Sequence, residues 1–239
     1  MDQYVFRRRE QKYLLPESAA AQLRQLMAQH MDPDRYAKST VCSIYYDTPD
    51  CRIIRRSLEK PEYKEKLRLR SYGQVTPEQT VFLELKKKYK GVVYKRRVSL
   101  PYQQAVAYMA DPDAVLDCGQ IGREIDYCKG FYGTLRPMLQ LSYERLAWRS
   151  HDGSIRVTLD WDLRFRIEAP DLTAPISGEK MLPEGQYLME IKVPESMPLW
   201  LTEFLSRHRL YKTSFSKYGR VYETCLMNKI KESRDYDYA

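Results

Sequence analysis

Five consecutive residues, Lys66-Leu67-Arg68-Leu69-Arg70, alternate cation and leucine without a break. Successive side chains of a β-strand point to opposite faces, so this segment reads as a strand with one wholly cationic face and one wholly aliphatic face. The same alternation recurs along the chain. Leu83-Glu84-Leu85-Lys86 repeats it, Lys95 and Arg97 share a face, and so do Tyr143 and Arg145. In residues 155–160, Ile155, Val157 and Leu159 oppose Arg156, Thr158 and Asp160, and in residues 189–193 the polar side carries Glu190 and Lys192.

Periodicity and turn residues organise the rest. A strand is expected at about Tyr4 to Leu14, then a helix from Pro16 to Met31 with Ala20, Leu23, Leu26 and Met27 at helical spacing. A β-rich stretch, Ser39 to Asp47, closes on Thr48-Pro49-Asp50. Strands follow at Tyr63 to Tyr72, Thr80 to Tyr89 and Val92 to Leu100, the last two joined by a hairpin turn at Lys90-Gly91. Helical stretches at Pro101 to Met109 and Ile121 to Tyr132 lead into strands at Met138 to Ser150, Ser154 to Ile167 and Gln186 to Val193. Helices at Leu199 to His208 and Ser216 to Lys229 complete the pattern. The expectation is one domain over residues 1–228, with a frayed tail over 229–239.

Lys and Arg number 40 against 32 Asp and Glu, a formal net charge of +8, which points to an anionic partner. Taken strand by strand, a charged face is simply a solvated one. Cations nevertheless dominate the polar face of nearly every strand, and about eight strands can close around one ligand. The expected fold is α+β: an eight-stranded antiparallel closed β-barrel, cationic inside, with helices packed outside over its apolar face. So many enclosed like charges demand a polyanion, and phosphate chains suit Arg forks and Lys point charges.

Glu10, Glu84, Asp160 and Glu190 stand among these cations. They either pair with neighbouring Arg and Lys or help hold a divalent cation that bridges protein and phosphate, and Glu190 is the best metal candidate.

Laid out in order, Arg8-Arg9-Glu10-Gln11-Lys12-Tyr13, Ser43-Ile44-Tyr45-Tyr46-Asp47-Thr48, Lys66 to Gly73, Phe82 to Lys86, Lys95-Arg96-Arg97, Tyr143-Glu144-Arg145, Arg156 to Asp160, Leu188 to Lys192 and Ser214 to Tyr218 span nearly the whole chain. In this order they resemble the VTC domain family of polyphosphate polymerases, within the triphosphate tunnel (CYTH-like) superfamily. The resemblance implies an eight-stranded tunnel that binds a nucleotide triphosphate. Carried over by position, Arg68, Arg70, Arg145 and Arg156 stabilise the transferring phosphoryl group. Lys12, Lys86, Arg97 and Lys217 bind phosphate, and Glu190 holds Mn²⁺ or Mg²⁺. Lys66, Lys88 and Lys192 are expected to turn to solvent near strand ends, and Tyr45 and Tyr46 to be packing residues. Superfamily members that hydrolyse or cyclise tend to begin Glu-x-Glu-x-Lys, whereas this chain has Arg8-x-Glu10-x-Lys12. A cation in place of a carboxylate favours transfer to phosphate over hydrolysis. The implied partners are ATP and inorganic polyphosphate or triphosphate.

Other classes fit less well. No P-loop, RNA-binding aromatic signature or helix-turn-helix is visible, and the cations follow strand positions, so nucleic acid is not the expected partner. Apolar runs are too short to span a bilayer and the first twelve residues are charged, so a cytoplasmic protein without a membrane segment is expected. Five cysteines without CxxC or Cys/His spacing favour reduced thiols over disulfides or zinc.

Overall fold

The computed structural model describes residues 9–194 and 196–229. Arg8, the start of the strand expected from Tyr4, and residues 230–239 of the expected tail lie outside the described residues. The chain divides into two compact units. One is drawn from the described parts of Met1–Val41, Ser142–Arg164 and Lys180–Phe215, the other from Cys42–Leu141, Phe165–Glu179 and Ser216–Ala239.

The elements in chain order are β1 (Arg9–Pro16), α1 (Glu17–His30), β2 (Met31–Asp47), α2 (Arg52–Leu58), β3 (Tyr63–Tyr72), β4 (Thr80–Tyr89) and β5 (Val92–Pro101). Next come α3 (Tyr102–Ala110), α4 (Gly119–Tyr132), β6 (Arg136–Ser150), β7 (Arg156–Arg166), the two-residue β8 (Glu179–Lys180) and β9 (Gln186–Val193). The C-terminal elements are α5 (Leu199–Arg207), α6 (Lys217–Val221) and a π-helical turn at Tyr222–Leu226. None of these helices is long and apolar enough to cross a membrane.

In the first unit, β1 pairs antiparallel with β9 and β9 with β7. Strand alternation sends Tyr13, Leu15, Val157, Leu159, Met189 and Ile191 to one side, where they meet Leu23 and Met27 of α1 and Leu201 and Leu205 of α5 in a shared core. In the second unit, β3, β4 and β5 form an antiparallel meander. Leu67, Leu69, Leu83 and Leu85, all fully buried, form a core with Ala105, Tyr108, Ile125 and Cys128 from α3 and α4. In both units, therefore, helices cover the aliphatic strand face.

The hydrogen-bonded strand order is β1-β9-β7-β6-β2-β3-β4-β5, with β8 beside β7. This confirms a mainly antiparallel α+β fold, and the strand pairing by itself shows no closure. β1 and β5 end the order, and no ladder joins them among the described residues. Instead, β1 meets the strap before α6 through an isolated bridge from Lys12 to Thr213.

Candidate phosphate-binding site

The central strands of the second unit lie in register, so their polar side chains form rows. Arg68, Glu84 and Arg97 stand opposite one another across β3, β4 and β5, and Lys66, Lys86 and Lys95 form the next row. Lys64 faces Lys88 one row further along. Like charges placed directly opposite destabilise a sheet.

Glu84 is the hub of the first row. Its side chain is 1% exposed, yet four cations address it. Arg68 donates through Nε and Nη2 at 2.9 and 2.8 Å, and Arg97 through Nε at 2.8 Å. Lys95 Nζ lies at 2.8 Å and Arg70 Nε at 3.7 Å. Burial alone would raise the carboxyl pKa, but Arg70, Arg68 and Lys95 hold it well below the usual range. Burial also draws Lys95 down, against the pull of Glu84.

Tyr45 packs as expected, its ring 5.1 Å from that of Tyr218, but its hydroxyl also meets the cations. Tyr46 and Ile44 of β2 do enter the core, so alternation turns Tyr45 and Ser43 to the charged face. There Arg68 Nη1 donates to the Tyr45 hydroxyl at 2.8 Å, and Arg70 Nε to Ser43 Oγ at 3.4 Å. Burial pushes the Tyr45 phenol upward, but Arg68, Lys66 and Arg70 bring it down to about 7. Lys66 does not turn to solvent. Its Nζ reaches Ser216 Oγ at 2.9 Å, and the same oxygen caps α6 by accepting from Gly219 N. Lys217 is the first residue of that helix. Lys88 is exposed, as expected.

The first unit builds a second charged cluster. Glu10, Lys192 and Arg156 form one row across β1, β9 and β7, and Lys12, Glu190 and Thr158 form the next. Glu190 Oε1 accepts Lys192 Nζ at 2.6 Å, and Lys12 Nζ lies 3.8 Å from Oε2 and 3.2 Å from Glu10 Oε1. Lys192 thus faces the cluster, again contrary to expectation. Burial opposes ionisation of Glu190, but Lys192, Lys12 and Arg145 hold its pKa well below the usual carboxylate range. Arg145 is itself anchored by a two-pronged pair to buried Asp160, at 2.7 and 2.8 Å. Arg156 is tied to Asp34 at 2.7 Å.

Of the four carboxylates left open by the sequence, Glu84 and Asp160 are therefore guanidinium partners. Glu190 is different: an ionised carboxylate whose other row neighbour, the buried Thr158 hydroxyl, has no hydrogen-bond partner among the described residues. Mg²⁺ and Mn²⁺ sites at phosphates take one or two protein carboxylates and fill the remainder with water and substrate oxygens. Glu190, with Glu10 within reach of the same lysine, fits that demand. No group of three His, Cys, Asp or Glu able to cage a metal occurs among the described residues, so water and substrate oxygens would complete the shell. The histidines lie elsewhere, with His30 stacked on Trp200, His208 tilted against Phe204 and His151 beside Asp32. The cysteines form no disulfide among the described residues, and Cys42, Cys51 and Cys128 are buried.

The sequence profile of the VTC domain family matches residues 7–226. No curated protein matches the sequence. Among solved structures, a Bacillus halodurans protein provisionally designated an adenylate cyclase is 14% identical, with a TM-score of 0.56 over 90% of this chain and 96% of that one. A Vibrio parahaemolyticus protein with the same designation is 11% identical, with a TM-score of 0.47 over 90% of this chain and 97% of that one. The Bacillus likeness shows a shared fold.

Proposed function

The chain belongs to the VTC domain family, and from that premise we propose that it is an ATP-dependent polyphosphate polymerase, transferring the γ-phosphoryl group of ATP to the end of an inorganic polyphosphate chain. The observation that carries this reading is the charge imbalance at Glu84, where four cations share one buried carboxylate. A row of three lysines lies directly beside it. Such a surface is built for a ligand with several closely spaced negative charges.

In the proposed reaction a terminal oxygen of the polymer attacks the γ-phosphorus of ATP. The new P–O bond lengthens the polymer by one unit, the bond to the β-phosphate oxygen breaks, and ADP carries away that electron pair. The attacking oxygen is already anionic, so the reaction needs positioning and charge stabilisation more than a base. By the family resemblance, Arg68, Arg70, Arg145 and Arg156 stabilise charge on the transferring group. Lys12, Lys86, Arg97 and Lys217 neutralise flanking phosphates. Glu190 would hold the divalent cation, which when bound supplies Lewis-acid neutralisation at phosphate oxygens. The enclosed tunnel implied by the family resemblance is part of this proposal and does not come from the strand pairing.

Hydrolysis would call for a carboxylate able to orient water. Glu84 and Asp160 are committed to guanidinium groups, which favours transfer. Incubation with ATP and Mn²⁺, followed by separation of polymer from free phosphate, tests the proposal. Long chains are expected. Phosphate alone would identify a triphosphatase, and unchanged ATP a non-catalytic polyphosphate-binding module. Arg70→Ala is expected to lower polymer synthesis by at least about a hundredfold, and a variant of unchanged melting temperature with full synthesis would refute the role given to Arg70.

A further inference from the structure

Three buried side-chain polar atoms have no hydrogen-bond partner among the described residues: Arg55 Nε, Arg166 Nε and Thr158 Oγ1. The two guanidinium groups are served by their other nitrogens, Arg55 through Asp50 and Arg166 through Gln140 and the Asp171 carbonyl. Thr158 has no second polar atom on its side chain. Its 2% exposure keeps it from bulk water, and a buried hydroxyl without a partner costs stability unless something absent from the protein chain satisfies it.

Its position indicates what that something is. Thr158 stands directly opposite Glu190 across the β7–β9 ladder, and Lys12 flanks Glu190 from β1 in the same row. Directly paired residues share a sheet face with Cβ atoms only about 5 Å apart. On the β9 side the row thus holds a carboxylate and a lysine, and Asp160, two residues along β7 on the same face, is engaged by Arg145. Lysines cannot accept a hydrogen bond from the hydroxyl, and Glu190, whose oxygens face Lys192 and Lys12, makes no hydrogen bond with it despite its further lone pairs. A bound water can reach the hydroxyl that these side chains leave without a hydrogen bond, and can donate to Thr158 Oγ1. A divalent cation held by one or two carboxylates retains several such waters.

We infer that Thr158 belongs to the cation site at Glu190, its hydroxyl orienting a water of the cation's shell. This rests on the reading of Glu190 as the metal carboxylate. Thr158 is a positioning residue and touches no reacting atom. Valine has nearly the same shape and suits a buried strand, so Thr158→Val removes the hydroxyl with little disturbance of packing.

The test is calorimetric titration of the full chain with the β,γ-imido analogue of ATP, with Mn²⁺ and with a chelator, in wild type, Thr158→Val, Thr158→Ser and Glu190→Gln. Thr158→Val is expected to weaken Mn²⁺-dependent binding by about tenfold or more, as loss of an outer-shell partner does. Binding in chelator should be unchanged, and Thr158→Ser should retain the Mn²⁺ gain. Without ligand, Thr158→Val should melt about 2–4 °C higher because an unsatisfied hydroxyl is gone. If Glu190→Gln abolishes the Mn²⁺ gain while Thr158→Val leaves it intact, the inference about Thr158 falls and the metal carboxylate stands. If Glu190→Gln also leaves the gain intact, both fall.

Discussion

At the residue scale, the site's most unusual group is the Tyr45 phenol. A tyrosine buried away from water ordinarily resists ionisation. Here Arg68, Lys66 and Arg70 reverse that tendency and bring the value from 10.0 down to about 7. The sign follows from linkage. A folded-state value below the unfolded one means that ionisation adds no stability below about pH 7, adds it progressively between about 7 and 10, and contributes fully above that. One tyrosine is therefore expected to titrate by phenolate ultraviolet absorbance with a midpoint near 7, and the Tyr45→Phe variant to lack that step. Added tripolyphosphate should move the midpoint upward by taking over the cations. A first tyrosine step at 10 in wild type would refute the assignment. Sequence reasoning placed Tyr45 in the packing because aromatic residues usually fill cores. The available signal was its parity with Ser43 on β2, opposite Ile44 and Tyr46. Thr158 was legible only as a face assignment, because a missing hydrogen bond is a property of the packed neighbourhood.

At the element scale, strand periodicity was highly informative. β3 and β4 have the expected boundaries, β9 does too, and β5 ends one residue later at Pro101. Each carries a stretch of alternation bounded by turn residues, so local chemistry and tertiary burial agree. α2 was missed. Its seven residues, Arg52–Leu58, start from Cys51 at φ 58°, and no preceding Ser, Thr, Asn or Asp at Cys51 signals a cap. The cap is supplied at a distance by Asp47, whose carboxylate accepts from the Ile53 and Ile54 amides at 2.8 and 2.9 Å. The helix expected over Ser216 to Lys229 is interrupted, running α-helical through Val221 and then π-helical over Tyr222–Leu226. The lysine rows of β3 to β5 make a prediction proper to these elements. Lys88→Glu places a carboxylate opposite Lys64, whose pKa is lowered by burial and then by Lys88. Relief of this like-charge pair is expected to raise the melting temperature by about 1–4 °C at low salt, and less at high salt as screening takes hold. A lower melting temperature at low salt would show that the pair is not a source of repulsion.

At the scale of the whole molecule, each unit has its own aliphatic core and its own charged cluster, and the formal excess is +8. The α+β class and the cationic strand faces were legible because both follow from period-two alternation. Closure was not, since ring formation depends on how the two end strands meet and no local pattern encodes that. A chain that carries excess positive charge is expected to gain stability from a polyanion. Tripolyphosphate at a hundred times its dissociation constant should add about 2.7 kcal/mol, a rise of roughly 5–10 °C by calorimetry for a chain of this size. Sulfate at equal ionic strength should give less, and equal shifts from both anions would argue against a site matched to linked phosphates. The carboxylate of Glu84 carries a final consequence, and it is kinetic. By holding Arg68 and Arg97 in fixed orientations before any ligand arrives, it spares incoming phosphates the search through guanidinium rotamers. Arrival should then be governed by long-range attraction and fall steeply with ionic strength, while departure is hastened by an internal anion ready to reclaim its partners.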